Sequence, residues 1–372
     1  MSDISRVLVI DDSAVARQVL TNILSEDDSL EVVGTAPDAM IGLRKIQELS
    51  PDVITLDIEM PGMDGLTFLE KLMKSTPLPV VMVSAYTEAG SETALRSFEL
   101  RAVDVVEKPR YEVRQGLTAV SELIIEKVKA ASQARVDTPA TRFFREDTLR
   151  PVTVSQEQRS KIEASSDHRL IAIGASTGGP QALLRILTTL PREMPPILLV
   201  QHITPSFTKS FSKSLDDSCQ MKVAVAVDGI KPIEGHIYVA PGDRHMLLAR
   251  ENADYRIRLS DHDRVNRHRP SVDELFGSVA NHAGQNATGV LLTGMGIDGA
   301  AGMAQIRHSG GWTIAQDEAS SVVFGMPRAA IQKGAAARVM SLDDIPGELV
   351  NYFVTESGVN QRRARKESVC KG

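Results

Sequence analysis

From residue 4 to about 130, short apolar runs alternate with stretches of helical spacing. Val7-Leu8-Val9-Ile10 is a continuous apolar run and predicts a buried strand. Val15, Val19 and Ile23 then recur every four residues with Ala16, Leu20 and Leu24 beside them, which predicts a helix over 13–25 with one apolar face. Val32-Val33, Val53-Ile54-Thr55-Leu56, Val80-Val81-Met82-Val83 and Val103-Asp104-Val105-Val106 predict four more strands, separated by helical stretches. Five strands alternating with helices imply a mainly parallel sheet with both faces covered.

The pattern breaks over Ala131–His168, which mixes Ser, Gln, Arg, Thr, Pro and Glu and predicts a linker. Phe143-Phe144 is an apolar island in it and predicts a short docking contact on one domain. A second alternating pattern starts at Arg169. Leu170–Ile173, Ile197–Val200 and Gly289–Thr293 predict buried strands. Lys222–Val227, Ile237–Ala240, Met246–Ala249 and Arg256–Leu259 predict further strands, some paired as hairpins. From about 356 the chain is polar and basic (Arg362, Arg363, Arg365, Lys366), the composition of a disordered tail. The expected organisation is an α/β domain over 1–130, a linker over 131–168, a larger doubly wound α/β domain over 169–355 and a tail over 356–372.

Composition narrows the function. The 372 residues suit two domains, and 42% apolar content is enough for two cores. The formal net charge of −6 and only 4% aromatics argue against nucleic-acid binding, which favours a basic surplus and stacking rings. Two cysteines, Cys219 and Cys370, allow no disulfide framework beyond one bridge, so a cytosolic protein is expected. The N-terminus has no charged leader before an apolar region, and no apolar run approaches the roughly 18–20 residues of a membrane helix, so neither a signal peptide nor membrane insertion is expected.

In a parallel α/β sheet, chemistry gathers beyond the carboxyl ends of the strands. Asp11 and Asp12 follow the first strand and Asp57 ends the third. Three converging carboxylates repel one another and call for a cation; Mg²⁺, bound through carboxylates with retained waters, suits them. Ser84 ends the fourth strand and Lys108 the fifth, a hydroxyl and an ammonium able to hold phosphoryl oxygens on Asp57. Any one of these acids alone reads equally as a helix cap. Together, Asp11-Asp12-Ser13, the run Asp57 to Gly65, Ser84-Ala85 and Lys108-Pro109 resemble the response-regulator receiver family over about 125 residues. The resemblance implies that Asp57 accepts a phosphoryl group from a histidine kinase. It also implies that Asp11 and Asp12 help bind Mg²⁺, that Ser84 follows the phosphate and that Lys108 pairs with it. Val105 departs from the family, which commonly has an aromatic switch residue there. The expected output is therefore a rearranged surface rather than an aromatic rotamer.

Gly174-Ala175-Ser176-Thr177-Gly178-Gly179-Pro180 follows a strand, opens a helix and fits G-x-S-x-G, a turn that exposes a serine hydroxyl. A helix N-terminus there would favour developing negative charge. The same turn also reads as a phosphate cradle, although no Walker lysine follows the glycines and dinucleotide spacing is absent. His202 closes the strand Ile197–Val200, and Asp298 follows Gly289–Thr293 through Gly294-Met295-Gly296. A lone histidine or aspartate at such a place is commonly structural. The three at strand ends make a nucleophile, a base and an orienting acid. The order Ser…His…Asp differs from that of α/β-hydrolases and predicts a separate fold.

The second half then resembles the chemotaxis protein-glutamate methylesterase catalytic domain over roughly 168–350. The runs that carry it are Ile173–Pro180, Val200-Gln201-His202, Tyr238–Gly242, Arg267–Asp273, Leu291–Gly299, Ala315-Gln316-Asp317 and Phe324–Pro327. The resemblance implies Ser176 as nucleophile, His202 as general base, Asp298 as its acid, the backbone around Met295 in the oxyanion hole and Thr177 assisting beside the nucleophile. It implies hydrolysis of glutamate γ-methyl esters on the cytoplasmic helices of chemoreceptors, and in some members deamidation of receptor glutamines. Phosphorylation is expected to uncover a Ser176 cleft that the receiver otherwise covers. Arg267, His268 and Arg269 read either as attracting an acidic receptor surface or as a solvated loop. His236 and His245 flank Tyr238–Gly242, and no cluster has zinc-ligand spacing, so no catalytic metal is expected. A non-catalytic adaptor is the alternative from another class. A DNA-binding output finds no helix-turn-helix to support it.

Overall fold

A computed structural model describes residues 4–84, 88–109, 117–136, 151–165 and 168–355. Phe143-Phe144 and the basic tail lie outside the described residues. The chain divides into two compact units, Met1–Phe144 and Arg145–Gly372.

The first unit runs β1 (Ser5–Ile10), α1 (Ala14–Leu24), β2 (Leu30–Ala36), α2 (Ala39–Leu49), β3 (Val53–Asp57), α3 (Gly65–Ser75), β4 (Val80–Ser84), α4 (Glu88–Glu99), β5 (Asp104–Glu107) and α5 (Leu117–Ser132). All five predicted strands are present. They form one parallel sheet in the order β2-β1-β3-β4-β5. β3 and β4 are buried throughout, which is why they read as unbroken apolar runs. Ser13, Asp38 and Asp64 cap α1, α2 and α3 by accepting the amides of Ala16, Ile41 and Thr67. The buried face of α1 is Ala16, Leu20, Ile23 and Leu24. Val15 is 53% exposed, so the stripe expected to run through it is turned by one position.

The second unit contains α6 (Gln156–Ser165), β6 (Leu170–Ala175), α7 (Gly179–Leu187), β7 (Ile197–Gln201), α8 (Pro205–Ser218), β8 (Lys222–Val225), β9 (His236–Val239), β10 (His245–Glu251) and β11 (Asp254–Ser260). It continues with α9 (Val272–Ala283), β12 (Ala287–Leu291), α10 (Ala300–His308), β13 (Trp312–Gln316), α11 (Met326–Gln332) and β14 (Arg338–Met340), and residues 345–355 are helical. Seven strands form a parallel sheet in the order β14-β13-β12-β6-β7-β9-β8, and β10–β11 is a separate antiparallel hairpin. Strands β13 and β14 extend the sheet beyond the predicted set. A main core joins Leu170, Leu198 and Val200 of the sheet to Met246 and Ile257 of the hairpin and to Leu275, Phe276 and Val279 of α9.

Part of the expected linker has regular structure. Val152 N–H donates to Thr189 O at 2.9 Å, Arg159 pairs with Glu193 at 2.6 Å, and Val154 and Ile162 are buried. Few apolar residues are needed to tie a short helix to an existing surface, so composition alone did not reveal it.

Each sheet changes direction once. In the first unit β1 is followed by β2 on one side and β3 on the other; in the second, β6 has β7 on one side and β12 on the other. Such points open a crevice beyond the strand ends, where ligands bind in this class of fold.

Candidate functional sites

At the first crevice, Asp11 follows β1 and Asp57 closes β3; both are buried, while Asp12 is exposed. Carboxylate oxygens of Asp11, Asp12 and Asp57 lie within 4.8 Å of one another. Lys108 Nζ reaches Asp57 Oδ2 at 2.8 Å and Asp11 Oδ2 at 2.9 Å. Burial pushes Asp57 up to about 6, against the Lys108 hydrogen bond and with the charge of Asp11 adding to the rise. Burial works to lower the Lys108 ammonium, but its hydrogen bonds to Asp57 and Asp11 prevail and hold it above the ordinary lysine value. Ser84 is buried, and its carbonyl accepts the Lys108 amide at 2.7 Å. The structure therefore gathers Asp11, Asp12, Asp57 and Lys108, with Ser84 on the neighbouring strand. Three acids with one ammonium leave negative charge over, and their all-oxygen donor set fits a hard divalent cation such as Mg²⁺. Val105 is half-buried on β5, in register with Met82.

At the second crevice, Ser176 follows β6 and His202 follows β7. Ala175 pairs with Gln201 across these strands, and His202 N–H donates to Ala175 O at 3.1 Å, which sets His202 beside the serine turn. Ser176 N–H donates to Thr293 O at 3.0 Å, fixing the turn to the segment after β12. Ser176 Oγ and Thr177 Oγ1 are buried with no hydrogen-bond partner among the described residues. Gly178 opens α7 at φ 75°, a left-handed conformation that glycine adopts without cost. Gly294 is needed for a different reason: a Cβ there would sit 2.7 Å from Ser176 Cβ and 2.4 Å from Met326 Sδ. Met295 is the next residue along the chain.

His202 Nε2 lies 2.9 Å from Asp298 Oδ2. Asp298 also accepts Val272 N–H at 2.6 Å on Oδ2, and Ser271 Oγ at 2.7 Å, Asn266 Nδ2 at 2.8 Å and Asp273 N–H at 3.2 Å on Oδ1. Two of these donors are the first amides of α9, so the carboxylate occupies a helix N-terminus, where negative charge is favoured. Burial acts to raise its pKa, and hydrogen bonds from His202, Asn266 and Ser271, with the charge of His202, outweigh it and hold the carboxyl below the ordinary range.

Sequence reading gave no role to Asn266, Ser271 or Gln201. Gln201 Nε2 donates to Ser176 O at 2.9 Å from beneath the turn, and Gly179 has no Cβ where one would meet Gln201 Oε1 at 2.1 Å. Ser271 caps α9 and holds Asp298 at once, and its own amide donates to His245 Nδ1 at 3.3 Å. The signal for it was Ser-x-x-Glu (Ser271, Glu274) before an apolar helix. Arg269 is committed to Asp243 and to the carbonyls of Asp261 and His262. His268 stacks on His202, and Arg267 remains exposed. Of these three residues, read from the sequence either as a partner-facing patch or as a solvated loop, Arg267 is exposed while His268 and Arg269 are half-buried.

The family description "CheB methylesterase" matches residues 171–349, and "Response regulator receiver domain" matches 7–120. Curated relatives are named protein-glutamate methylesterase/protein-glutamine glutaminase. That of Salmonella typhimurium is 49% identical over 93% of this chain and 96% of its own length. That of Pectobacterium atrosepticum is 50% identical over 91% of this chain and 94% of its own. The chain belongs to this methylesterase family. It is an ester hydrolase with a response-regulator receiver domain ahead of the esterase domain, as the two sequence resemblances implied. Among the described residues no helix is long and apolar enough to cross a membrane.

Proposed function

We propose that this esterase hydrolyses γ-methyl esters of glutamate side chains on chemoreceptors, releasing methanol, and that phosphorylation of Asp57 turns the activity up. The observation that carries the reading is the His202–Asp298 hydrogen bond of 2.9 Å, placed beside a turn whose buried serine hydroxyl has no partner among the described residues. With Nε2 held by Asp298, His202 Nδ1 is the nitrogen that takes the Ser176 proton as Oγ attacks the ester carbonyl. Backbone amides near Ser176 and Met295 receive the negative charge that develops on the carbonyl oxygen. His202 then gives its proton to the departing methoxide, leaving an acyl-serine and methanol. A water, deprotonated by His202, attacks the acyl carbon, frees Ser176 and leaves glutamate. With a glutamine side chain the same steps expel ammonia, which also needs the His202 proton. Thr177 supports the turn through its carbonyl, which accepts Thr293 Oγ1 at 3.0 Å.

In the receiver, Asp57 takes a phosphoryl group from the histidine kinase of the same signalling pathway. Asp11, Asp12 and Asp57 would hold Mg²⁺, which neutralises phosphoryl oxygens during transfer. Lys108 supplies the charge that pairs with the phosphorylated Asp57, and Ser84 follows the phosphate. The site of action is the cytoplasmic side, where receptor helices carry the esters. Mass spectrometry of methylated receptor peptides tests the reading. Wild-type chain should convert methyl-glutamate to glutamate and Ser176→Ala should leave it methylated. Conversion by Ser176→Ala at the wild-type rate would refute the serine mechanism.

A further inference from the structure

The imidazole of His268 lies face to face with that of His202, ring centroids 3.7 Å apart and planes 13° from parallel. A hydrogen bond to Asp298 fixes one nitrogen of His202 but not the plane of the ring. An imidazole held at Cβ and at Nε2 can still rock about the line joining them, and that rocking swings Nδ1 into and out of line with Ser176. A flat surface at van der Waals distance over one face removes half of that motion. His268 is held firmly enough to serve. Its amide and carbonyl form a two-bond bridge with Val265, at 2.9 and 3.1 Å. Asn266, two residues before it, donates to both Asp298 and Asp273 at 2.8 Å, and Arg269, the residue after it, is anchored to Asp243 at 3.0 Å.

We propose that His268 is a positioning residue: its ring face sets the plane of the His202 imidazole, and with it the line of proton transfer to and from Ser176. The inference rests on the Ser176–His202 reading above. The role requires a flat ring of this size and makes no use of the His268 nitrogens or of a charge. A substrate-binding cation in the same place would need the charge and not the plane.

Full-length chain carrying His268→Ala or His268→Phe tests this. Two readouts are taken: kcat and KM for methanol release, and the low-field proton resonance of the His202–Asp298 hydrogen bond, assigned by its loss in Asp298→Asn. The Ala variant should lower kcat about ten- to hundredfold, the scale of a misplaced reacting group. Its KM should stay within about twofold, and the low-field proton should broaden through exchange with water. The Phe variant, which fills the same space, should keep kcat within about threefold and retain the resonance. The proposal is overturned if folded His268→Phe is as impaired as His268→Ala, if His268→Ala changes neither readout, or if the effect falls on KM alone. Where His268→Ala does not fold, the Phe variant decides: retention of kcat and resonance supports the proposal, and their loss overturns it. Wild type that releases no methanol while its low-field proton still depends on the ring at 268 would remove the ester reading and leave the positioning role standing.

Discussion

His202 Nε2 and the Val272 amide converge on the same oxygen of Asp298, at 2.9 and 2.6 Å. In the proposed mechanism, the acid that orients the base is thus also the anion at the start of α9. Replacing it by Asn keeps the size but offers an amide where acceptors are needed, and kcat should fall about 10³–10⁴-fold. Because the Asp298 pKa is depressed in the folded chain, its ionisation stabilises the fold above the ordinary carboxylate range. That contribution is lost as pH falls through the lowered folded value. The stability gap between wild type and Asp298→Asn, read by denaturant unfolding, should be widest near neutrality and narrow in strong acid. A gap independent of pH would contradict it.

Asp57 has the opposite sign. Its folded pKa of about 6 lies above the ordinary 3.8. The folded state therefore holds the proton more tightly than the unfolded one, and stability falls as pH rises between those values. At pH 7.5 the full cost applies, and Asp57→Asn should stabilise the receiver by on the order of 1–3 kcal/mol after loss of the Lys108 pair is counted. The gain should vanish near pH 4. Mg²⁺ should raise the melting temperature of wild type and not of the variant, which calorimetry with and without the ion will show.

Lys127 Nζ and Asp104 Oδ2 form an ion pair at 2.8 Å, with side chains 2% and 6% exposed. Removing one partner leaves a buried charge uncompensated. Lys127→Met should therefore destabilise the receiver by about 3–5 kcal/mol, whereas the joint change with Asp104→Leu should recover much of that. A double variant as unstable as the single one would show that the pair does more than neutralise itself.

The packing of residues 151–165 sets where an independent esterase fragment begins. A fragment starting at 145 keeps the Val152–Thr189 hydrogen bond and buried Val154 and Ile162. One starting at 169 exposes the surface they cover, and losing two such side chains should lower stability by about 3–6 kcal/mol. Fragment melting temperatures check this. Equal melting would mean the segment contributes nothing.

What the sequence made legible follows physical lines. Strands β1, β3, β4, β6, β7 and β12 are buried on both faces and so appear as apolar runs that need no alignment to find. β13 was missed because Trp312-Thr313 follows Gly310-Gly311 and looks like a loop, and β14 because three residues at a sheet edge, Arg338-Val339-Met340, carry too little pattern. Ser176, His202 and Asp298 were visible because each follows a strand end, where a parallel sheet gathers side chains. Asn266 was not, and His268 was visible only as part of a basic loop, not as the ring stacked on His202. They reach the site through a loop that folds back across 32 positions to Asp298, with Asn266 and Arg267 at φ 52° and 71°. No periodicity encodes such a return.

We propose a serine esterase under receiver control. Its most direct measurement is methanol release from methylated receptor membranes, with and without a small phosphodonor and Mg²⁺, for wild type, Ser176→Ala and Asp57→Ala. Wild type should release methanol at a rate that the phosphodonor raises, Ser176→Ala should release none, and Asp57→Ala should keep an unstimulated basal rate. Stimulated release that persists in Ser176→Ala, or phosphodonor stimulation that survives Asp57→Ala, would contradict the proposal.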